Sequence, residues 1–273
     1  MSQISPAPSE ILVTEAASHV RLLTLNRPDR LNALTREMVA ELNAVLEQLA
    51  QADDCRAIVI TGAGRGFCSG QDLQAAQARA EHSPSGVVEK LYWQEQFAGL
   101  GRRLRSMPQP VIAAVNGPSV GAGMALALAA DVRVVAPSAR FLVGAVKIGL
   151  SAGESGLSYL LPRLIGLGRA FDILLTGRPV EAEEAERVGL AQRLVPAEEL
   201  VISAVAYAEA IIANSPYATR NTKRLVWANL DAASFEAALE LENRTQILAT
   251  MTEDYGEAVR AFNEKRPPTF TGL

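Results

Sequence analysis

The chain has 273 residues, 49% of them hydrophobic and 21% charged, with a formal net charge of −4. This composition is typical of a globular protein of one large or two small domains, and the negative charge argues against non-specific binding to nucleic acid. The two cysteines lack CxxC spacing, which favours a reducing, cytoplasmic compartment over a disulfide framework. The sequence contains no apolar run of about 18 residues, so no membrane span is predicted.

The first half of the chain alternates predicted strands and helices. Residues 1–10 carry no signal-peptide pattern, and we expect a disordered N-terminus there. Thr35 is the predicted N-cap of a helix whose apolar residues recur at helical spacing. Predicted strands cover 11–15, 20–25, 57–61, 111–115 and 132–136, and further helices cover 88–105 and 121–129. Such alternation implies crossover connections and parallel strand pairing.

The second half becomes almost wholly helical after about residue 154. The clearest predicted helices cover residues 197–213, 217–229, 235–251 and 253–262. The break at Ser215-Pro216 predicts a boundary between an α/β core, residues 11–214, and a helical C-terminal region, residues 215–273.

Two glycine-bearing turns carry the most functional information. They are residues 66–73 (Gly-Phe-Cys-Ser-Gly-Gln-Asp-Leu) and 116–123 (Asn-Gly-Pro-Ser-Val-Gly-Ala-Gly), and each follows an apolar, β-branched run. Glycine lets the backbone approach a ligand closely. Two such turns could aim two backbone N–H groups at one point, which is how an enzyme stabilises a developing oxyanion. The polar, alanine-rich segment 74–86 is interpreted as a mobile loop or fraying helix over this site.

These turns stand in order with five other motifs. The motifs are residues 25–34 (Leu-Asn-Arg-Pro-Asp-Arg-Leu-Asn-Ala-Leu), 110–117 (Pro-Val-Ile-Ala-Ala-Val-Asn-Gly), 175–179 (Leu-Thr-Gly-Arg-Pro), 183–190 (Glu-Glu-Ala-Glu-Arg-Val-Gly-Leu) and 261–266 (Ala-Phe-Asn-Glu-Lys-Arg). From about Val20 to its C-terminus the chain therefore resembles the enoyl-CoA hydratase/isomerase (crotonase) superfamily. The resemblance implies an α/β fold with a crotonase-like core of repeated ββα units and a C-terminal helical trimerisation region. It also implies homotrimers or hexamers and an acyl-CoA thioester substrate, with no cofactor beyond the coenzyme A that the substrate carries.

The resemblance implies an oxyanion hole built from the backbone N–H groups of Gln71 and Ala122. Both would donate to the thioester carbonyl and stabilise the enolate formed at the neighbouring carbon, and loss of one such donor typically costs about 2.7–4 kcal/mol. A helix beginning near Gly121 would add its positive dipole end.

The acid/base group is less conventional. The positions of the two glutamates of family hydratases match Ala125 and Ala145, and alanine can neither take up a proton nor orient water. Glu154 matches a position where some members, notably dienoyl-CoA isomerases and a dehalogenase, carry a functional aspartate. We therefore hypothesise that Glu154 is the acid/base. The alternative is that Ser151-x-x-Glu154 is a capping box that opens the next helix.

Predicted contacts to coenzyme A follow from the same resemblance. Arg30 lies where such contacts begin in the family, and Phe262 and Lys265 match C-terminal positions that contact CoA, sometimes from a neighbouring subunit. Gly70 and Asp72 in the first turn and Gly121 in the second complete the predicted binding set, with Asp72 interpreted as a loop-fixing or N-cap residue.

Other reaction classes fit the sequence poorly. Residues 62–66 (Gly-Ala-Gly-Arg-Gly) miss the dinucleotide-binding spacing, no GxSxG elbow is present, and no metal-ligand spacing is found, so no metal is expected. The sequence thus predicts an acyl-CoA-processing enzyme of hydratase/isomerase type. A CoA thioester hydrolase and a non-catalytic acyl-CoA-binding protein remain the alternatives.

Overall fold

A six-stranded sheet forms the centre of the computed structural model, which describes residues 9–83 and 85–273. The predicted disordered segment 1–10 lies outside the described residues apart from Ser9 and Glu10. The strands are β1 (Ile11–Ala17), β2 (Val20–Leu25), β3 (Ala57–Gly62), β4 (Val111–Val115), β5 (Pro118–Val120), β6 (Val132–Val135), β7 (Arg140–Leu142), β8 (Val180–Glu181) and β9 (Arg193–Leu194). The sheet has the order β1-β2-β3-β4-β6-β9; β1 and β2 pair antiparallel, and all later neighbours pair parallel, as the alternating pattern predicts.

Helices cover both faces of this sheet. They are α1 (Arg36–Gln51), α2 (Leu73–His82), α3 (Val87–Ser106), α4 (Ala122–Ala129), α5 (Leu157–Ile165), α6 (Leu167–Thr176), α7 (Ala182–Arg187), α8 (Leu200–Ile212), α9 (Pro216–Asn229), α10 (Phe235–Ala249) and α11 (Glu253–Glu264). Every residue of β3 is buried, and side chains alternate between the two faces along a strand. Ile58 and Ile60 therefore pack in the larger core with α1, α3 and α4, whereas Val59 packs in the smaller core under α8.

Local signals set several helix ends. The predicted cap is confirmed: Thr35 Oγ1 accepts a hydrogen bond from Met38 N at 3.1 Å. Of the two interpretations of segment 74–86, the structure shows the helix, α2, in which no residue is buried. Asp72 caps it by accepting from Ala75 N at 3.0 Å.

A second, three-stranded sheet, β5-β7-β8, was not predicted from the sequence. Its strands are two or three residues long, too short to show a period of two. This small sheet matters for the site because β5 leads directly into the turn that begins α4.

The C-terminal helices agree with the predicted helical region, and the boundary at residues 214 and 215 stays a prediction. Lys223 of α9 joins this region to the core, since its Nζ lies 2.8 Å from an Asp131 carboxylate oxygen and donates to two core carbonyls. Helix α10 has no buried residue in the single chain. Across residues 9–83 and 85–273, no single helix is long and apolar enough to cross a membrane; a pair bent by 105°, Ala197–Ile212 with Pro216–Asn229, meets the criterion by length and composition alone.

Candidate active site

The two glycine-bearing turns lie side by side. Cys68 and Ser119 pair as a parallel bridge, Val120 N donates to Cys68 O at 2.9 Å, and Phe67 N donates to Pro118 O at 3.1 Å. Two segments about fifty residues apart in sequence thus become neighbouring strands, which is the juxtaposition that the sequence predicts.

Glycine permits this close approach at two positions. A Cβ at Gly123 would lie 2.1 Å from Cys68 O, so any side chain there would collide with the opposite turn. Gly70 has a φ of +85°, which disfavours other residues, and a Cβ there would lie 2.7 Å from Val120 O and 3.5 Å from Ala122 N. The backbone at Gly70 therefore lies against the start of α4.

Two buried or part-buried asparagines hold the loop that precedes the first turn. Asn32, fully buried with a φ of +56°, donates from Nδ2 to the carbonyls of Ala63, Gly66 and Phe67 at 2.8–3.2 Å. Asn116 donates to three carbonyls of the same loop at 2.9–3.2 Å. Both residues stand in sequence motifs of the resemblance, but nothing in their local sequence predicts this supporting role.

The turns open on a cavity of about 170 Å³. Gln71, Ala122 and Glu154 line it together with Gly70, Gly121 and Ala145. Leu34 N donates to Gly70 O, and Leu34 O accepts from Asp72 N. Because these two bonds use the residues on either side of Gln71, the N–H of Gln71 is directed away from Leu34. Neither this N–H nor that of Ala122, in the first turn of α4, donates to an acceptor in the part of the chain that the structure describes.

Glu154 lies at the edge of the second turn. Its Oε1 is 3.1 Å from the place that a Cβ on Gly121 would occupy, and Gly121 has a φ of +51° that suits glycine. The side chain is half-buried, and this burial raises the pKa of its carboxyl above the ordinary value.

The capping-box alternative for Glu154 is wrong. The next helix, α5, begins only at Leu157; its N-cap is Gly156, and no side chain makes the capping hydrogen bond. Ser151 Oγ accepts instead from Gly153 N at 3.1 Å. The carboxylate of Glu154 is therefore not used to start a helix.

Alanine stands at both positions that match the hydratase glutamates. Ala145 lines the cavity, and Ala125 is buried in α4. Among the described residues that line this cavity, Glu154 carries the single titratable side chain. The geometry thus combines two backbone donors with one carboxylate whose pKa is raised.

The predicted coenzyme A contacts are only partly brought together. Arg30 is exposed and donates to Gln74 Oε1 at 2.7 Å, at the base of α2. Burial opposes the charge of Asp72, but hydrogen bonds from Ala75 N–H and Arg27 outweigh it and lower the pKa of Asp72. Phe262 is 83% exposed and Lys265 ends α11; neither lines the cavity of its own chain.

A metal centre finds no support in residues 9–83 and 85–273, where no group of three or more His, Cys, Asp or Glu side chains could hold an ion. The expectation that the protein needs no metal or separate cofactor stays a prediction.

Known proteins share the sequence pattern and the fold of this chain. Residues 15–273 match the family model described as enoyl-CoA hydratase/isomerase. The chain is 43% identical to a probable enoyl-CoA hydratase, EchA12, of Mycobacterium tuberculosis (strain H37Rv), over 96% of this chain and 93% of that protein. It is 38% identical to the 1,2-epoxyphenylacetyl-CoA isomerase of Escherichia coli K12, over 96% and 99%. The solved structure of a putative enoyl-CoA hydratase from Streptomyces coelicolor A3(2) superposes with a TM-score of 0.91 at 41% identity, covering 100% of this chain and 98% of that one.

Proposed function

We propose, given that the chain belongs to the enoyl-CoA hydratase/isomerase family and has the crotonase fold, that it isomerises a carbon–carbon double bond of an acyl-CoA thioester by moving one proton on Glu154. Family membership makes it an acyl-CoA-processing enzyme of hydratase or isomerase type. The observation that carries the narrower proposal is that, among the described residues, Glu154 is the one titratable side chain in a cavity whose Gln71 and Ala122 amides have no acceptor there.

The first part of the proposed mechanism is an oxyanion hole. The thioester carbonyl accepts from Gln71 N–H and Ala122 N–H, which are already oriented by the packed turns. The N-terminus of α4 adds a partial positive charge at the same place. These donors strengthen their interaction as negative charge moves onto the oxygen, so they stabilise the enolate more than the ground state.

The second part is a proton shuttle. With a 3-enoyl thioester, the Glu154 carboxylate removes a proton from the α-carbon, and the electrons of the C–H bond delocalise into a dienolate. The resulting Glu154 carboxylic acid returns the proton to the γ-carbon, which leaves the double bond between the α- and β-carbons. No water is consumed. A pKa raised by burial suits this role because it makes the carboxylate a stronger base.

Hydration by two carboxylates is disfavoured by the same geometry. One carboxylate orients and deprotonates water in such a mechanism while a second group supplies a proton, but Ala145 occupies the cavity wall here and Ala125 lies buried in α4. A methyl group can do neither task.

Assembly into homotrimers or hexamers belongs to the proposal. Exposed apolar side chains of α10 and of Met251, two residues after its end, support this assembly, since Phe235, Ile247 and Met251 are each exposed by at least 66% in the single chain. Phe262 and Lys265 lie away from their own cavity, so their predicted contacts with coenzyme A would reach a neighbouring copy. A cytoplasmic location stays a prediction.

The test is to incubate the protein with a 3-enoyl-CoA in deuterium oxide and to follow products by NMR and mass spectrometry. We expect 2-enoyl-CoA, with deuterium at the γ-carbon only to the extent that the Glu154 carboxylic acid exchanges its proton with solvent before returning it, and a rate about 10²–10⁴-fold lower for Glu154→Gln. Accumulation of 3-hydroxyacyl-CoA from either isomer, unaffected by Glu154→Gln, would establish hydration instead. Release of free thiol would indicate a hydrolase, and binding without deuterium exchange a non-catalytic protein.

A further inference from the structure

A second cavity of about 350 Å³ adjoins the catalytic one, and we call it the distal cavity. It lies between the start of α1, helix α2 and helix α3, and it shares Gln71, Gln94 and Phe97 with the catalytic cavity. Ligand pockets usually occupy about 300–1,000 Å³. The catalytic cavity alone falls below that range, whereas the two together fall within it. An acyl group of ordinary size would therefore extend past Gln94 into the distal cavity.

The inner part of the distal cavity is apolar. Ala76 and Ala80 are one helical turn apart on α2, and together with Ala75 they line the cavity that Trp93 and Phe97 of α3 also line. Small residues on one wall and large aromatic residues on the other leave room for a hydrocarbon body. Ala75 and Ala80 are exposed and Ala76 is half-buried, so this wall borders accessible space rather than a packed core.

The outer part of the distal cavity is rich in cations. Arg36 pairs with Glu89 at 2.7 Å and stacks on the Trp93 ring at 4.6 Å, and Arg79 pairs with Glu37 at 2.5 Å. Lys90 also lines the cavity and has no carboxylate partner within the described residues.

Asp72, which also lines the distal cavity, does not offset this charge. The carboxylate of Asp72 is engaged by Ala75 N and by Arg27, whose Nη2 lies 3.2 Å away, at the start of α2. The Lys90 ammonium is thus the cation of this lining that has no carboxylate partner among the described residues. It stands four and seven residues before Gln94 and Phe97 on α3, which places it farther from the catalytic cavity than either, and the two guanidinium groups of the same lining can each donate further hydrogen bonds.

We propose that the distal cavity selects acyl groups with an apolar body and a carboxylate at the far end, which meets Lys90 and the neighbouring guanidinium groups. This inference rests on the proposed function, because it takes the thioester to lie at Gln71 and Ala122. The apolar body contacts the alanine face and Trp93, and the terminal carboxylate replaces part of its hydration with charge-assisted hydrogen bonds.

The test measures binding of unreactive, saturated thioesters by isothermal titration calorimetry, so it needs no turnover. Pairs of equal chain length are compared, one ending in a carboxylate and one in a methyl group. We expect the carboxylate to bind about tenfold more tightly at the chain length that reaches Lys90. In Lys90→Met this ratio should fall about two- to five-fold, the range for one exposed ion pair. The matched control is Arg102→Met, which removes the same charge from α3 outside the distal cavity.

A second pair of variants tests occupancy of the distal cavity. Ala76→Leu fills it, whereas Ala78→Leu adds the same side chain to α2 outside its lining. Ala76→Leu should weaken the long carboxylated thioester and leave acetyl-CoA binding unchanged, and Ala78→Leu should change neither. Tighter binding of the methyl-ended member, an unchanged ratio in Lys90→Met, or long-chain binding indifferent to Ala76→Leu would overturn the inference. Deuterium exchange at the α-carbon of acetyl-CoA reports separately on the proposed function, since that acyl group never reaches the distal cavity.

Discussion

The spacing of the two turns can be changed with a single methyl group. In Gly123→Ala, the new Cβ would lie 2.1 Å from Cys68 O and 2.8 Å from Cys68 C, whereas real Cβ contacts are essentially never closer than 3.0 Å. The obstructing atoms belong to the backbone and cannot rotate aside. The turn that carries Ala122 must therefore move away from the turn that carries Gln71.

The size of the effect follows from that displacement. To bring the new Cβ from 2.1 Å to at least 3.0 Å from Cys68 O, the turn that carries Ala122 must shift. This shift is close to the misplacement of about 1 Å that can cost an enzyme about 10²-fold in rate. Full loss of one donor would cost about 2.7–4 kcal/mol in the transition state. Overpacking of this kind typically lowers the free energy of unfolding by only about 1–3 kcal/mol. We thus expect a folded protein whose kcat is reduced about 10²–10³-fold.

The assay is turnover of a 3-enoyl-CoA, with thermal unfolding recorded on the same preparation. Gly168→Ala is the matched control, because a Cβ at that position of α6 would have no heavy atom within 4 Å outside its neighbours. It should leave kcat unchanged. A folded Gly123→Ala protein with wild-type kcat would refute the argument that the contact between the turns sets the geometry of the oxyanion hole.

Three further predictions concern stability and its dependence on pH. Burial raises the folded-state pKa of Glu154, so Glu154 favours folding only when protonated, and this contribution is lost as pH rises through the folded-state pKa. Glu154→Gln should therefore unfold at the same or a higher temperature than wild type near neutral pH, with the difference vanishing in acid; a clear loss of stability at neutral pH would contradict this. Lys223→Met leaves the part-buried Asp131 carboxylate without its cation and should lower the free energy of unfolding in urea by about 3–5 kcal/mol. The control Lys147→Met, at an exposed position, should change it by no more than about 0.5 kcal/mol, and equal losses in the two variants would contradict this prediction. Asn32→Ala removes the donor to three loop carbonyls and should cost about 1–3 kcal/mol and lower kcat, and unchanged values of both would show that the loop needs no such support.

Local chemistry made much of the main framework predictable. Thr35 caps α1 by accepting a hydrogen bond from Met38 N, only three residues along the chain. The fully buried strand β3 is visible in the sequence as a continuous apolar, β-branched run. Strands of five to seven residues carry enough side chains to reveal their pattern. The two-residue strands β8 and β9 form only because the tertiary fold brings partners to them, so their sequences carry no period of their own.

The site was predictable to the extent that it is made of short backbone motifs. The glycines that allow Gln71 and Ala122 to share a cavity are visible in sequence because a positive φ or a close backbone contact excludes a side chain at each of them. By contrast, Asn32 supports that cavity through carbonyls more than thirty residues away, and no local signal reports such a contact. The distal cavity depends on how α2 lies against α3, which is a property of packing and not of either helix alone.

A crystal structure of the protein with a bound, unreactive acyl-CoA tests the central claim most directly. The account predicts that the thioester oxygen lies about 2.7–3.1 Å from both Gln71 N and Ala122 N, with the Glu154 carboxylate facing the α-carbon. A thioester oxygen held by other groups, with those two amides turned away from it, would contradict the account.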